Sequence, residues 1–229
     1  MVEDSHYLTA GPDAVLFDMD GTLVDSEKVW DVGLRELAHS YGGELSEPAR
    51  SRMVGTSMRE SMDILHADIA QPWRDIETSV VWVEARVAEL FVGGLAWRPG
   101  ARELLAEVRV AGIPTALVTA THRALVTVAL GTIGAHNFDA IVCGDEVSQT
   151  KPHPQPYLTA AALLGTQPGR CVAIEDSPTG VASALAAGCV VVAVPCELAL
   201  APTPGVTLLE TLTALSVAGL RSLVATASR

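Results

Sequence analysis

The chain has 229 residues, enough for one large domain or for a core carrying a smaller insertion. Hydrophobic residues make up 49% and charged residues 18%, a balance that fills a core and argues against disorder. The net charge of −12 speaks against nucleic acid and anionic membranes as partners, and no apolar run approaches the ~20 residues of a membrane span.

The first thirteen residues are polar and acidic and lack the basic-then-apolar pattern of a secretory signal, so a cytoplasmic protein is expected. Ala14-Val15-Leu16-Phe17 reads as a short buried strand, and Asp18-Met19-Asp20-Gly21-Thr22-Leu23 follows it directly. Residues i and i+2 of a strand share a side, so Asp18 and Asp20 crowd two carboxylates at a sheet edge. Repulsion that close calls for a cation.

The next seventy or so residues read as helices only. Trp30, Leu34, Leu37 and Tyr41 recur at helical spacing from Ser26 onward, and Gly42-Gly43 ends that helix. Ser46-Glu47-Pro48 looks like an N-cap, and Ser57-Met58-Arg59-Glu60 has the capping-box pattern. From Pro72, the stripe Ile76, Val80, Val83, Val87 and Leu90 marks a longer helix closed by Gly93-Gly94.

Beyond Pro99 the rhythm alternates. Helices are expected over Ala101–Val110, Arg123–Ile133, Tyr157–Leu164 and Gly180–Ala187. Between them lie strands at Ile113–Val118, Asp139–Cys143, Cys171–Ile174 and Val190–Val194. Near-continuous apolar strands alternating with helices imply a parallel sheet covered on both faces. The expected architecture is a doubly wound, Rossmann-like α/β core from residues 1–23 and 96–229, with residues 24–95 inserted as an α-helical cap above the acidic edge. Cys143, Cys171, Cys189 and Cys196 show no metal-binding spacing and read as reduced thiols, mostly buried.

Four strand ends carry polar groups: Asp18 and Asp20; Thr119-Ala120; Lys151-Pro152-His153-Pro154 in the loop after the third strand; and Glu175-Asp176-Ser177. Parallel strands bring their C-terminal ends together, so these groups should converge. Each has an ordinary reading alone: a solvated turn, a β-branched strand residue, an exposed loop lysine. Together they suit phosphoryl transfer. Asp18, Asp176 and Glu175 form an all-oxygen set that fits Mg²⁺ better than zinc. Lys151, Thr119 and backbone N–H groups can hold a phosphate. One carboxylate can attack phosphorus while a second handles the leaving-group proton. His153, between two prolines, reads as a rigid-loop residue.

With these residues the chain resembles the haloacid dehalogenase superfamily, in its capped phosphatase and phosphomutase branch. The resemblance runs over nearly the whole chain and rests on Asp18 to Glu27, Thr119, Lys151-Pro152-His153-Pro154 with Tyr157, and Glu175-Asp176-Ser177 with Gly180. It implies that Asp18 is the nucleophile and a Mg²⁺ ligand. Asp20 would be the acid/base, its carbonyl also on the metal, with Asp176 a metal ligand and Glu175 a ligand or a partner of one. Thr119 and Ala120 would hold the phosphoryl group beside Gly21 and Thr22, and Lys151 would bridge phosphate and nucleophile.

The cap turn Gly55-Thr56-Ser57, flanked by Arg52 and Arg59, resembles the family's substrate-facing cap motif, which makes Gly55, Thr56 and Arg59 candidate substrate contacts; ordinary helix capping by Ser57 is the alternative. Asp20 speaks against dehalogenase chemistry, which lacks the second Asp. Lys28 is the one cap lysine, where phosphonate hydrolases carry a Schiff-base lysine. Trp30 stands where β-phosphoglucomutases typically have a His, and Asp25 to Asp31 with Lys151 to Gln155 is similar to sugar and sugar-alcohol phosphate phosphatases. The implied function is Mg²⁺-dependent hydrolysis of a small phosphorylated metabolite through an aspartyl phosphate, by a monomer with no obligate protein partner. A β-phosphoglucomutase-like phosphomutase and a catalytically idle phosphate-binding or regulatory protein are the alternatives.

Overall fold

The computed structural model describes residues 11–54 and 56–227; Gly55 and the polar start of the chain lie outside the described residues. Strand β1 (Ala14–Phe17) is apolar at all four positions and fully buried, so it takes the middle of the sheet. Five helices separate it from the next strand, and the first four are α1 (Glu27–Ser40), α2 (Glu47–Met53), α3 (Met58–Asp68) and α4 (Ile76–Val92). Then come α5 (Ala101–Val110), β2 (Thr115–Val118), α6 (Arg123–Ile133), β3 (Ala140–Val142), α7 (Gln155–Leu163) and β4 (Cys171–Glu175). The order ends with α8 (Pro178–Ala187), β5 (Val190–Ala193), β6 (Val206–Leu208) and α9 (Val217–Ala227).

The strands lie in the order β3-β2-β1-β4-β5-β6, parallel throughout, with Leu16 opposite Ala116 on one side and Ala173 on the other. This is a doubly wound α/β fold. Strand order reverses between β1 and β4, and open α/β sheets form a ligand crevice at the carboxyl ends of such strands.

Alternate residues of the buried strands feed two cores. Val15, Phe17, Leu117, Val172, Ile174 and Val192 pack with Leu104, Leu105, Leu125 and Leu220 on one face. On the other, Ala14, Leu16, Ala116, Val118 and Ala173 meet Tyr157, Ala160, Ala161 and Ala184. The inserted helices extend the first core with Leu34, Leu37, Met62, Leu65, Val83, Val87 and Phe91.

Local chemistry sets the helix boundaries. Ser57 and Glu60 make both bonds of a capping box at α3, as the sequence pattern implies. Asp75 accepts the Thr78 N–H at 2.8 Å, so the helix expected from Pro72 begins at Ile76. Strand β2 begins at Thr115, two residues later than the apolar run, because Pro114 has no N–H for the ladder. In the insertion, buried His66 shares the Ser79 hydroxyl (2.9 Å) with Tyr41 (2.8 Å), whose ring lies under the Arg74 guanidinium.

The insertion leaves and rejoins the sheet along one short backbone ribbon. Val24 bridges Trp97 antiparallel, the Asp25 N–H donates to Ala96 (2.8 Å), and the Arg98 N–H donates to Leu23 (2.9 Å). Among the described residues no helix is long and apolar enough to cross a membrane.

Candidate active site

Four strand ends meet at the reversal of strand order. Asp18 follows β1 and is 6% exposed, Thr119 follows β2 and is 2% exposed, and Glu175 ends β4 with no exposure. The loop after β3 delivers Lys151. Its ammonium donates to Asp18 Oδ1 (2.6 Å), Glu175 Oε1 (2.6 Å) and the Val118 carbonyl (2.9 Å), which uses all three of its protons. Buried Tyr157, on α7, donates its hydroxyl to the same Glu175 oxygen.

This constellation is short of positive charge. Burial pushes the Asp18 carboxyl up to about 8; Lys151 opposes the shift, and Glu175 and Asp20 add to it. Asp176 is raised well above the usual carboxylate range by burial, then by Asp18, Glu175 and Glu27. Burial works against the Lys151 ammonium, yet Asp18 and Glu175 outweigh it and hold the lysine protonated. Oxygens of Asp18, Glu175 and Asp176 lie within 4.8 Å of one another, and Asp18 Oδ2 is buried with no hydrogen-bond partner. An unpartnered carboxylate oxygen among three buried carboxylates is the environment a hard cation fits.

Asp20 is held differently. Ser26 donates to its Oδ1 (2.6 Å), and Thr121 (2.7 Å) and Thr119 (3.2 Å) donate to its Oδ2. Three hydroxyls aim this carboxylate at the cavity, and no lysine or arginine claims it in these bonds. Thr119, expected to hold the phosphoryl group, lines the cavity and also donates its hydroxyl to Asp20.

Two glycines let the carboxylates approach. Gly21 has φ +77°, and a Cβ there would collide with the Asp176 carboxylate. A Cβ on Gly180, in the first turn of α8, would collide with the Glu175 carboxylate.

A cavity of about 400 Å³ opens above these groups, between the sheet edge and the inserted helices. Asp18, Asp20, Thr119, Ala120, Lys151 and Asp176 line its floor, and Thr56 and Arg59 line its roof. Gly21, Thr22 and Glu175 do not line it. Thr22 is 1% exposed with an unpartnered hydroxyl, and Glu175 lies behind Lys151 and Asp176. The Arg59 guanidinium is held by Glu77, and Thr56 turns its hydroxyl to Ser61 (2.9 Å) and the Met53 carbonyl (2.8 Å).

Sequence reading did not single out Thr121, Arg50, Glu84, His122 or Glu197 as site groups, yet all line the cavity. Thr121 lies one residue past the Thr119-Ala120 pair and could have been found there. The others meet only through the fold: Arg50 reaches Glu197 (3.4 Å) across 147 positions, and His122 Nδ1 sits 2.9 Å from Glu84 Oε1.

A family model described as haloacid dehalogenase-like hydrolase matches residues 12–188. Hexitol phosphatase A of Escherichia coli is 37% identical over 191 residues, which covers 78% of this chain and 81% of that protein. The phosphorylated carbohydrates phosphatase of Thermotoga maritima is 35% identical over 181 residues, covering 77% of this chain and 82% of that one. Among solved structures, a CbbY variant from Rhodobacter sphaeroides in complex with xylulose-(1,5)bisphosphate superposes with a TM-score of 0.77 at 28% identity, covering 91% of this chain and 99% of that one.

Proposed function

The chain belongs to the haloacid dehalogenase-like hydrolases, and from that premise we propose that it is a Mg²⁺-dependent phosphatase, hydrolysing a sugar or sugar-alcohol phosphate through an aspartyl phosphate on Asp18. The observation that carries this reading is the buried Asp18–Lys151–Glu175 chain at the cavity floor, with Asp18 Oδ2 left without a partner. The resemblance to curated carbohydrate phosphatases supports the substrate class.

Asp18, Asp176 and the Asp20 backbone carbonyl would hold the cation, which when bound would draw charge from the phosphoryl oxygens and favour ionised Asp18 despite its burial. Lys151 holds Asp18 through Oδ1 and so fixes the orientation of the carboxylate toward the cavity. In the first step an Asp18 oxygen forms a bond to phosphorus as the bond to the leaving alkoxide breaks, and protonated Asp20 gives its proton to that alkoxide. In the second, Asp20 takes a proton from water, whose oxygen displaces Asp18 and releases inorganic phosphate. The clasp of Ser26, Thr119 and Thr121 fixes Asp20 for both proton transfers.

Helices α1 to α4 serve as a cap that excludes water and contacts the leaving group, with Thr56 and Arg59 on its inner surface. Four unpaired cysteines suit a reducing compartment, and the proposal includes cytoplasmic action as a monomer. A screen of phosphorylated carbohydrates with product analysis tests the reading. Mg²⁺-dependent release of inorganic phosphate is the expected result; an isomerised sugar phosphate would replace hydrolysis with mutase chemistry.

A further inference from the structure

The roof of the cavity carries a charge pattern of its own beside the reacting groups. Arg50, on α2, is 7% exposed and donates to Asp31 (3.0 Å), Glu27 (3.2 Å) and Glu197 (3.4 Å). One guanidinium thus answers three carboxylates. Arg59 is taken by Glu77, and His122 by Glu84. Glu27, Glu77, Glu84 and Glu197 all line the cavity against two arginines, Arg50 and Arg59, each paired with a carboxylate, so its upper half is acidic. Burial first, then Asp20 and Glu197, push the Glu27 carboxyl up to about 7 against the pull of Arg50, so its full charge joins that of Glu197 only above that pH.

We infer that this roof selects against any second anionic group on the substrate, so the leaving group is an uncharged polyhydroxy compound, with Glu27, Glu197 and Arg50 as the residues that set the selection. The inference rests on the phosphatase reading and narrows its substrate class from phosphorylated carbohydrates in general to monophosphates.

The chemistry is one of matching. A second phosphate or a carboxylate entering the cavity would lose its water and face Glu27 and Glu197, while the Arg50 fork that could receive it is occupied. Sugar hydroxyls meet the opposite situation. Each donates one hydrogen bond, and carboxylate oxygens accept several. Trp30, also in the lining, supplies an apolar face for the carbon skeleton.

The test compares a hexitol monophosphate and a hexitol bisphosphate of one carbon skeleton, with 2-phosphoglycolate as a small charged control. Wild-type kcat/KM should favour the monophosphate over both by at least about tenfold, the discrimination one unmatched charge supports. Glu197→Gln releases part of Arg50 and should shrink the monophosphate-to-bisphosphate ratio several-fold; Glu27→Gln should act in the same direction. Affinities of the two hexitol phosphates for the Asp18→Asn protein, read by calorimetry, should show the same preference without turnover. Equal use of mono- and bisphosphate, or a ratio unmoved in both variants, overturns the inference. Failure of every substrate, an aryl phosphate included, to release phosphate would overturn the phosphatase reading instead, and the calorimetric ratio would still decide the selection.

Discussion

The floor and the roof of the cavity use charge in opposite ways. On the floor, the side chains of Lys151, Asp18 and Glu175 are 5%, 8% and 0% exposed. Each of these groups depends on the others, because a buried charge left without its partner costs about 3–5 kcal/mol. The roof is looser at its rim, where Arg59 and Glu77 are 63% and 71% exposed, although Arg50 within it is buried. Exposed pairs contribute little to stability and tolerate change. The proposed chemistry is therefore tied to buried groups at the sheet edge, while the rim of the proposed recognition surface tolerates substitution.

The largest expected effect lies on the floor. Asp18→Asn removes the proposed nucleophile and a ligand charge together, and kcat on an aryl phosphate should fall by at least about 10³-fold. Turnover near that of the wild type would break the division between floor and roof. Lys151→Ala strands two buried carboxylates; it should lower unfolding free energy by about 3–5 kcal/mol in urea and abolish inhibition by inorganic phosphate. Unchanged phosphate inhibition would remove Lys151 from the site.

Tyr157→Phe asks for less. It deletes one buried donor to Glu175 and should cost about 1–3 kcal/mol of stability. Catalysis should be reduced far less than by Lys151→Ala, since the ammonium contacts remain.

The smallest effect belongs to the inserted helices. Burial, with Arg74 adding to it, lowers the His66 pKa below its usual 6.5. The folded state therefore prefers neutral His66, and its contribution is present above pH 6.5. It is lost as pH falls through 6.5 and the lower folded value, because the unfolded chain takes up the proton first. Wild-type stability should drop more between pH 7 and pH 5 than that of a His66→Gln variant. Parallel pH profiles would clear His66 of this role.

Much of the floor was legible because its signals are local. Asp18 and Asp20 follow an apolar strand directly, and the helices Ala101–Val110 and Arg123–Ile133 fall at their expected bounds. The end of the chain was read only as part of the core. Strand β6 is a half-buried edge strand of three residues, which leaves no apolar run to detect. Helix α9 did leave a trace: Val217, Leu220 and Val224 recur at helical spacing. The roof was the least legible. Arg50, Glu27 and Glu197 pair through tertiary contact, and nothing in the spacing of Arg50 separates it from a solvated helix arginine.

The ribbon of Leu23–Asp25 against Ala96–Arg98 makes the two ends of the insertion neighbours before any helix forms. A segment whose ends are already fastened together can grow, shrink or be exchanged without disturbing the sheet that carries it, since the closure it needs is supplied by its own stem. The stem also lies a few residues from Asp20 and Ser26, so a tilt of the whole helical layer would be felt first at the Asp20 carboxylate. The fold thus holds a detachable tool on a fixed handle, and the joint between them sits beside the group proposed to carry the proton.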